Sequence, residues 1–223
     1  MLKKVIFIFF LLFIISCNNN TDVIEREKAF EINGIILENQ GFDKVYLSKI
    51  SNNHVILLDS CEIVNEKFHF KGKVTFPTKS QIQFYKYGNF FPFILTGEQI
   101  NIELNANHFL ESNIAGSAIN NEWNKLKNHS FEIYAEIDYL FPMMQKARMQ
   151  NDFNTLQKIN KKIDSLDQIN REYLINYIKK NKESELIPLI LNDLFHSSQK
   201  DSSQIKQISK EITEKQKKAL DFN

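Results

Sequence analysis

Gln99-Ile100-Asn101-Ile102-Glu103-Leu104-Asn105 alternates apolar and polar residues without a break, whereas after Gly116 the apolar residues Ile119, Trp123, Leu126, Ile133, Ile137, Leu140 and Met144 recur at threes and fours. The first pattern belongs to a strand with one dry face and the second to an amphipathic helix. The change of period therefore makes the chain α+β, with sheet first and helices after. Working back from residue 99, Ile82 and Phe84 alternate with Gln81 and Gln83, and Phe68 and Phe70 flank His69. Asn39-Gln40-Gly41, Ser51-Asn52-Asn53, Asn65-Glu66 and Thr96-Gly97-Glu98 separate the runs with residues that tolerate turn geometry. Residues 30–115 are expected to form six or seven short antiparallel strands, as a small β-sandwich or a curled sheet, with strands pairing in sequence order.

Working forward, Leu156, Ile159, Ile163, Leu166, Tyr173 and Tyr177 continue the helical spacing after a polar break at Asn151-Asp152. Residues 116–218 are expected to begin with a long antiparallel helical hairpin. Pro142 should kink or interrupt its first arm, because proline removes a backbone donor and clashes with the preceding turn. Ser184 is placed to cap a third helix carrying Ile187, Ile190, Leu191 and Leu194, with Pro188 early enough to be tolerated. A last polar helix, from Ser203 to about Leu220, carries only the thin stripe Ile205, Ile208 and Ile212, too little to pack firmly.

The amino terminus has a different character. Lys3 and Lys4 precede an unbroken apolar run from Val5 to Ile15, followed by Ser16 and Cys17. This is the order of a secretory signal peptide, and the run is well short of the ~20 residues that span a bilayer. Ile14-Ile15-Ser16-Cys17 resembles the lipobox of bacterial lipoproteins, which implies cleavage after residue 16 and acylation of Cys17. No aspartate follows the cysteine, so the expected location is the outer membrane, facing the periplasm. Residues 17–29 then read as a tether.

The formal net charge of +1, from 28 basic and 27 acidic groups, stays near neutral once the leader with Lys3 and Lys4 is gone. A chain so balanced has no field to gather nucleic acid. Of its two cysteines, Cys17 is assigned to the lipid, which leaves Cys61 without an internal disulfide partner.

Phe30-Glu31-Ile32-Asn33-Gly34, Val45-Tyr46-Leu47, the run from Leu58 through Asp59-Ser60-Cys61 to Lys67-Phe68-His69-Phe70-Lys71-Gly72, and Ile114-Ala115-Gly116-Ser117 with Asn120 are more specific. Over about residues 28–218 this pattern resembles the domain of unknown function that precedes the thioredoxin-like domain in many Bacteroidetes lipoproteins. That resemblance implies a strand entered through Asp59-Ser60 and a returning Lys-Phe-x-Phe-x-Gly strand, followed by helices leading into a thioredoxin fold. Glu66 stands where that family usually has glycine, so a longer or different turn is expected there. Ala219-Leu220-Asp221-Phe222 resembles the opening of the thioredoxin-like domain, and residues 219–223 are read as the start of one that is missing here. The chain has no Cys-x-x-Cys, in which one activated thiolate attacks and its neighbour resolves the mixed disulfide.

Other chemistry is weakly signalled. His54, His69, His108, His129 and His196 have no metal-ligand spacing, so neither a metal nor another cofactor is expected. Asp59-Ser60 lacks a nucleophile elbow. Cys61 is a candidate redox-sensitive thiol. Tyr85, Tyr87, Phe90 and Phe91 form a candidate binding surface for a peptide or glycan. Asp164-Ser165-Leu166 resembles a short O-glycosylation sequon, in a helical setting that argues against modification. The residues carry no catalytic set, and the chain is expected not to be an enzyme. Two functions fit. One is a lipid-anchored accessory module that positions a thioredoxin-like domain or docks its redox clients. The other is a free-standing periplasmic lipoprotein that binds a ligand or protein on an aromatic sheet face.

Overall fold

In β1 (Lys28–Leu37), Phe30, Ile32 and Ile36 point inward, and the alternation that places them there leaves the fourth inward slot to Gly34. A computed structural model describes residues 26–51, 54–84, 88–197 and 202–220. The leader, Cys17, most of the tether, Tyr85, Tyr87 and residues 221–223 lie outside the described residues. β1 pairs antiparallel with β4 (Lys67–Val74) in a register that sets Phe30 opposite Gly72 and Gly34 opposite Phe68. A Cβ on Gly34 would come within 2.2 Å of three Phe68 ring atoms, and one on Gly72 within 2.7 Å of two in Phe30. Each ring therefore lies flat over the facing glycine. The spacing of Phe and Gly in the two strands is the imprint of these two cross-strand pairs.

Among the described residues there are eight strands in two four-stranded sheets. The first sheet has the order β4-β1-β7-β8, with β7 at Gln99–Asn105 and β8 at Asn113–Ala115. The second has the order β3-β2-β5-β6, built from β2 (Lys44–Ser51), β3 (His54–Glu62), β5 (Thr78–Gln83) and β6 (Phe90–Leu95). The inner faces, with Ile32, Phe70 and Ile102 from one sheet and Leu47, Ile82 and Phe93 from the other, close a single core. The sandwich and the helices after it agree with the α+β reading. Strand count and pairing order depart from expectation: β1 and β7 run parallel, and the chain crosses between sheets four times. Period two reports which face a residue takes but not which strand lies beside it, and β8 is too short to show a period at all.

Between Val64 and Lys67 the β3–β4 connection closes as a two-residue hairpin, with reciprocal backbone bonds of 2.9 and 3.0 Å. Asn65 and Glu66 both have positive φ, at 50° and 61°. The connection is thus a tight two-residue turn and not a longer one. It is the tight primed turn that glycine favours, and Glu66 takes the left-handed conformation in glycine's place.

Ser117 caps α1 (Ala118–Met149) by accepting the Asn120 amide, and Asp152 caps α2 (Phe153–Lys180) by accepting the Thr155 amide. Asn151 at φ 53° turns the chain between them. The hairpin is antiparallel: Ser130 Oγ donates to Asn170 Oδ1 at 2.8 Å, and Lys162 pairs with Glu136 at 2.8 Å. Pro142 does not interrupt α1. It stands on the solvent side, where water can take the carbonyl that proline leaves without a donor.

α3 (Ile187–Ser197), α4 (Ser202–Glu211) and α5 (Glu214–Lys218) complete the helical layer. Ser184 Oγ accepts the Leu186 amide just ahead of α3. The expected single last helix is two, broken at Thr213, whose side chain forms a capping box with Gln216. It also packs firmly. Ile205, Ile208 and Ile212 are all buried in a second core with Ile94, Leu126, Ile175 and Leu191. Gln216 Nε2 clamps it further by donating to the Lys182 and Ser184 carbonyls, both at 2.9 Å. A thin stripe suffices because α3 and α2 supply the opposite walls.

β6 joins the two cores. Phe91, Phe93 and Leu95 face the sandwich interior and Ile94 faces the helices, so Phe90–Leu95 reads as continuous apolar sequence. Its free edge is closed by one side chain. Asn120 Oδ1 accepts the Ile94 amide at 2.7 Å, and Asn120 Nδ2 donates to the Ile94 carbonyl at 2.8 Å. Buried beneath Ser117, Asn120 fixes α1 to the second sheet.

Candidate functional site

The opposite edge of that same sheet is β3, and no strand among the described residues covers it. Its sequence, His54-Val55-Ile56-Leu57-Leu58-Asp59-Ser60-Cys61-Glu62, carries four consecutive apolar residues, and all four are exposed, Leu57 at 57%. Alternation should have buried every second one. β2 pairs with β3 through Leu47↔Asp59 and then Ser48↔Leu57, so Leu58 is the extra residue of a β-bulge. The bulge twists the β2–β3 hairpin away from the sandwich, which leaves both faces of residues 55–58 outside the core.

Asp59 Oδ1 accepts the Ser60 amide at 2.7 Å. The Asp-Ser pair thereby occupies one backbone donor locally, and neither residue is arranged as a nucleophile and base. Cys61, next along the strand, is half-buried against the sandwich core. Burial pushes its thiol up, the His69 amide pulls the other way, and the charge of Asp59 adds to the rise. Its chemistry is that of a protonated, slow thiol rather than an activated thiolate.

The aromatic candidates divide. Phe90 is 46% exposed, but Phe91 is 6% exposed and belongs to the sandwich core, which removes it from any binding surface. Adjacent residues of a strand point to opposite faces, so a run of aromatics cannot all be displayed.

Two polar clusters elsewhere are committed to structure. Glu31 takes a hydrogen bond from His69 at 2.8 Å and has Lys71 at 3.5 Å on the outer face of the first sheet. The His69 bond chiefly, and Lys71 after it, hold the Glu31 carboxyl below its usual range. In the helical layer Tyr177 OH lies 2.7 Å from Ser184 Oγ, which donates to Glu122 at 3.2 Å. Burial and then Glu122 push the Tyr177 hydroxyl far above the ordinary tyrosine range, so it serves as a fixed neutral strut. No group of three His, Cys, Asp or Glu side chains among the described residues is gathered to hold a metal. A cleft of about 220 Å³ between α2 and α4, lined by Glu172, Asn176, Lys179 and Gln204 among others, is smaller than the ~300–1,000 Å³ of typical ligand pockets.

Residues 30–123 match the family described as Domain of unknown function (DUF4369). The match runs from the first inward residue of β1 to the second turn of α1. It takes in both sheets and Asn120 but not the body of the helical hairpin. Neither a curated protein nor a solved structure matches the chain.

Sequence reasoning located Asp59, Ser60 and Cys61 but missed Val55, Ile56 and Leu57. The available clue was an unbroken apolar run inside a region where every other strand alternates or is buried on both faces.

Proposed function

We propose that this chain is a non-catalytic accessory module of envelope thiol–disulfide exchange, held to the membrane through a lipid on Cys17, and that it docks extended client polypeptides along β3. The open edge of β3 is the observation that carries this reading. An edge strand offers a row of backbone donors and acceptors to any extended chain, independent of its sequence. Val55 to Leu58 add apolar contacts on both faces of such a strand. Substrates of thiol–disulfide exchange are chains whose cysteines are still accessible, and incompletely folded chains carry unpaired backbone and uncovered apolar residues together. Cys61, kept as a thiol by its surroundings, leaves the redox step to a separate thioredoxin-like domain. The aromatic-face reading is the weaker one, since Phe91 is turned inward.

Two measurements test this reading. Fluorescence anisotropy should detect binding of a labelled, cysteine-free extended peptide of alternating apolar residues. Ile56→Lys with Leu57→Lys should weaken it at least ~10-fold, as expected for charges placed on an edge strand. Unchanged affinity would remove β3 from the account. In a disulfide reductase assay the purified chain should not exceed free-thiol background, and activity abolished by Cys61→Ser would overturn the non-catalytic assignment.

A further inference from the structure

We infer that the free end of the α1–α2 hairpin is a membrane-docking tip that seats on an anionic phospholipid surface. Among the described residues, the tip stands clear of everything but its own two helices. Leu126 is the last α1 residue buried in the second core, and from there to Met149 the helix runs on for roughly 35 Å at 1.5 Å per residue. Along that length the apolar seam is made with α2: Ile133 and Ile137 meet Leu166. At the far end, Met149 and Phe153 flank the turn at 85% and 75% exposure, with Tyr139 and Met143 also exposed. Asp152 accepts hydrogen bonds from the Thr155 amide at 3.0 Å and its hydroxyl at 2.6 Å, so these apolar side chains stand on a capped helix start rather than a loose loop.

Charge selects the occupant. Residues 139–163 carry Lys146, Arg148, Lys158, Lys161 and Lys162 against the single acid Asp152, while the rest of the chain is net acidic. Asp152 is engaged in the cap and Lys162 pairs with Glu136, which leaves a basic collar behind the apolar end. Exposed apolar residues ringed by Lys and Arg are the arrangement that binds anionic lipid interfaces. The shape agrees: the tip is convex, and a fluid surface accepts a convex knob that a protein partner would need a matching cavity to hold. The inference stands on the hairpin alone and does not depend on β3 or on acylation of Cys17. In a lipid-anchored chain it supplies a second point of attachment and fixes the orientation of the sandwich.

The experiment uses the full chain with Met149→Trp and vesicles containing brominated lipid. Wild type gives the baseline, since Trp123 packs against the second core. On phosphatidylglycerol-containing vesicles the added indole should be quenched and blue-shifted, and on pure phosphatidylcholine it should not. Adding Lys146→Gln and Arg148→Gln should cut partition on the order of 10-fold or more. Ile56→Lys, which tests β3, should leave the signal unchanged, so failure of one reading is distinguishable from failure of the other. Absence of quenching on both lipids, equal quenching on both, or a blue shift without lipid that follows self-association of the chain would each overturn the inference.

Discussion

In the sandwich, Phe70, Phe93 and Ile102 are walled in by two sheets, whereas in the hairpin Ile133, Ile137 and Leu166 have only the facing helix. Both regions have regular backbone and both have capped or closed ends. They differ in how many elements surround each apolar side chain. A residue surrounded on all sides cannot be removed without leaving a cavity, while a seam between two helices can relax or open locally. The edges of the second sheet repeat the contrast on a smaller scale. Asn120 closes β6, and no strand among the described residues covers β3. Both proposed roles fall on the less enclosed member of each pair, where surface remains available to a partner.

The sharpest way to break this comparison is to truncate one residue on each side. Phe70→Ala should cost about 3–5 kcal/mol in urea unfolding followed by circular dichroism, and Ile137→Ala about 2 kcal/mol, near the lower end for buried aliphatic truncations. Hydrogen exchange should show the first loss spread over both sheets and the second confined to residues near 130–170. Equal and equally global losses would show the hairpin to be as cooperative as the sandwich. Next in size, Asn120→Ala leaves the buried Ile94 amide and carbonyl without their partner, at about 1–3 kcal/mol for each unsatisfied group. Exchange should then rise in the first turns of α1 and in β6 before it rises elsewhere.

A smaller effect of opposite sign is expected at the β3–β4 turn. Glu66→Gly should stabilise the chain by up to about 1 kcal/mol, because relief of the left-handed strain exceeds glycine's greater loss of freedom. The smallest effect is local and depends on pH. The Thr155 hydrogen bonds hold the Asp152 carboxyl below the ordinary aspartate value. A depressed folded value means that its contribution is present above the unfolded value and is lost as pH falls through the folded one. The Thr155 amide should therefore lose protection in acid before the centre of α2 does, as followed by nuclear magnetic resonance, and Asp152→Ala should abolish that pH dependence.

Much of this organisation was legible in the residues. The change of period after Gly116, the cap at Ser184 and the break at Asn151-Asp152 each depend on a few neighbouring residues, and all stand where the sequence places them. The errors have a common origin. The last helix looked too thin because Ile205, Ile208 and Ile212 were read without the walls that α2 and α3 supply. Phe91 looked available because a run of aromatics was read as one surface when its members alternate between faces. The exposure of the four apolar residues of β3 has no local signature, because it follows from a bulge formed with β2.

The sequence by itself determined where the strand period gives way to the helical one, where the two arms of the hairpin divide, and which residues of β4 and β7 face the core. Period and capping are properties of short stretches, and short stretches carry them unaided. Only the tertiary structure decided that β1 lies parallel to β7, that Phe30 and Phe68 cover Gly72 and Gly34, that Asn120 seals one sheet edge, and that β3 and the hairpin tip are uncovered among the described residues. Those outcomes depend on contacts between residues far apart in the chain. Their free energy is set by which pieces fit together, and no local pattern contains it.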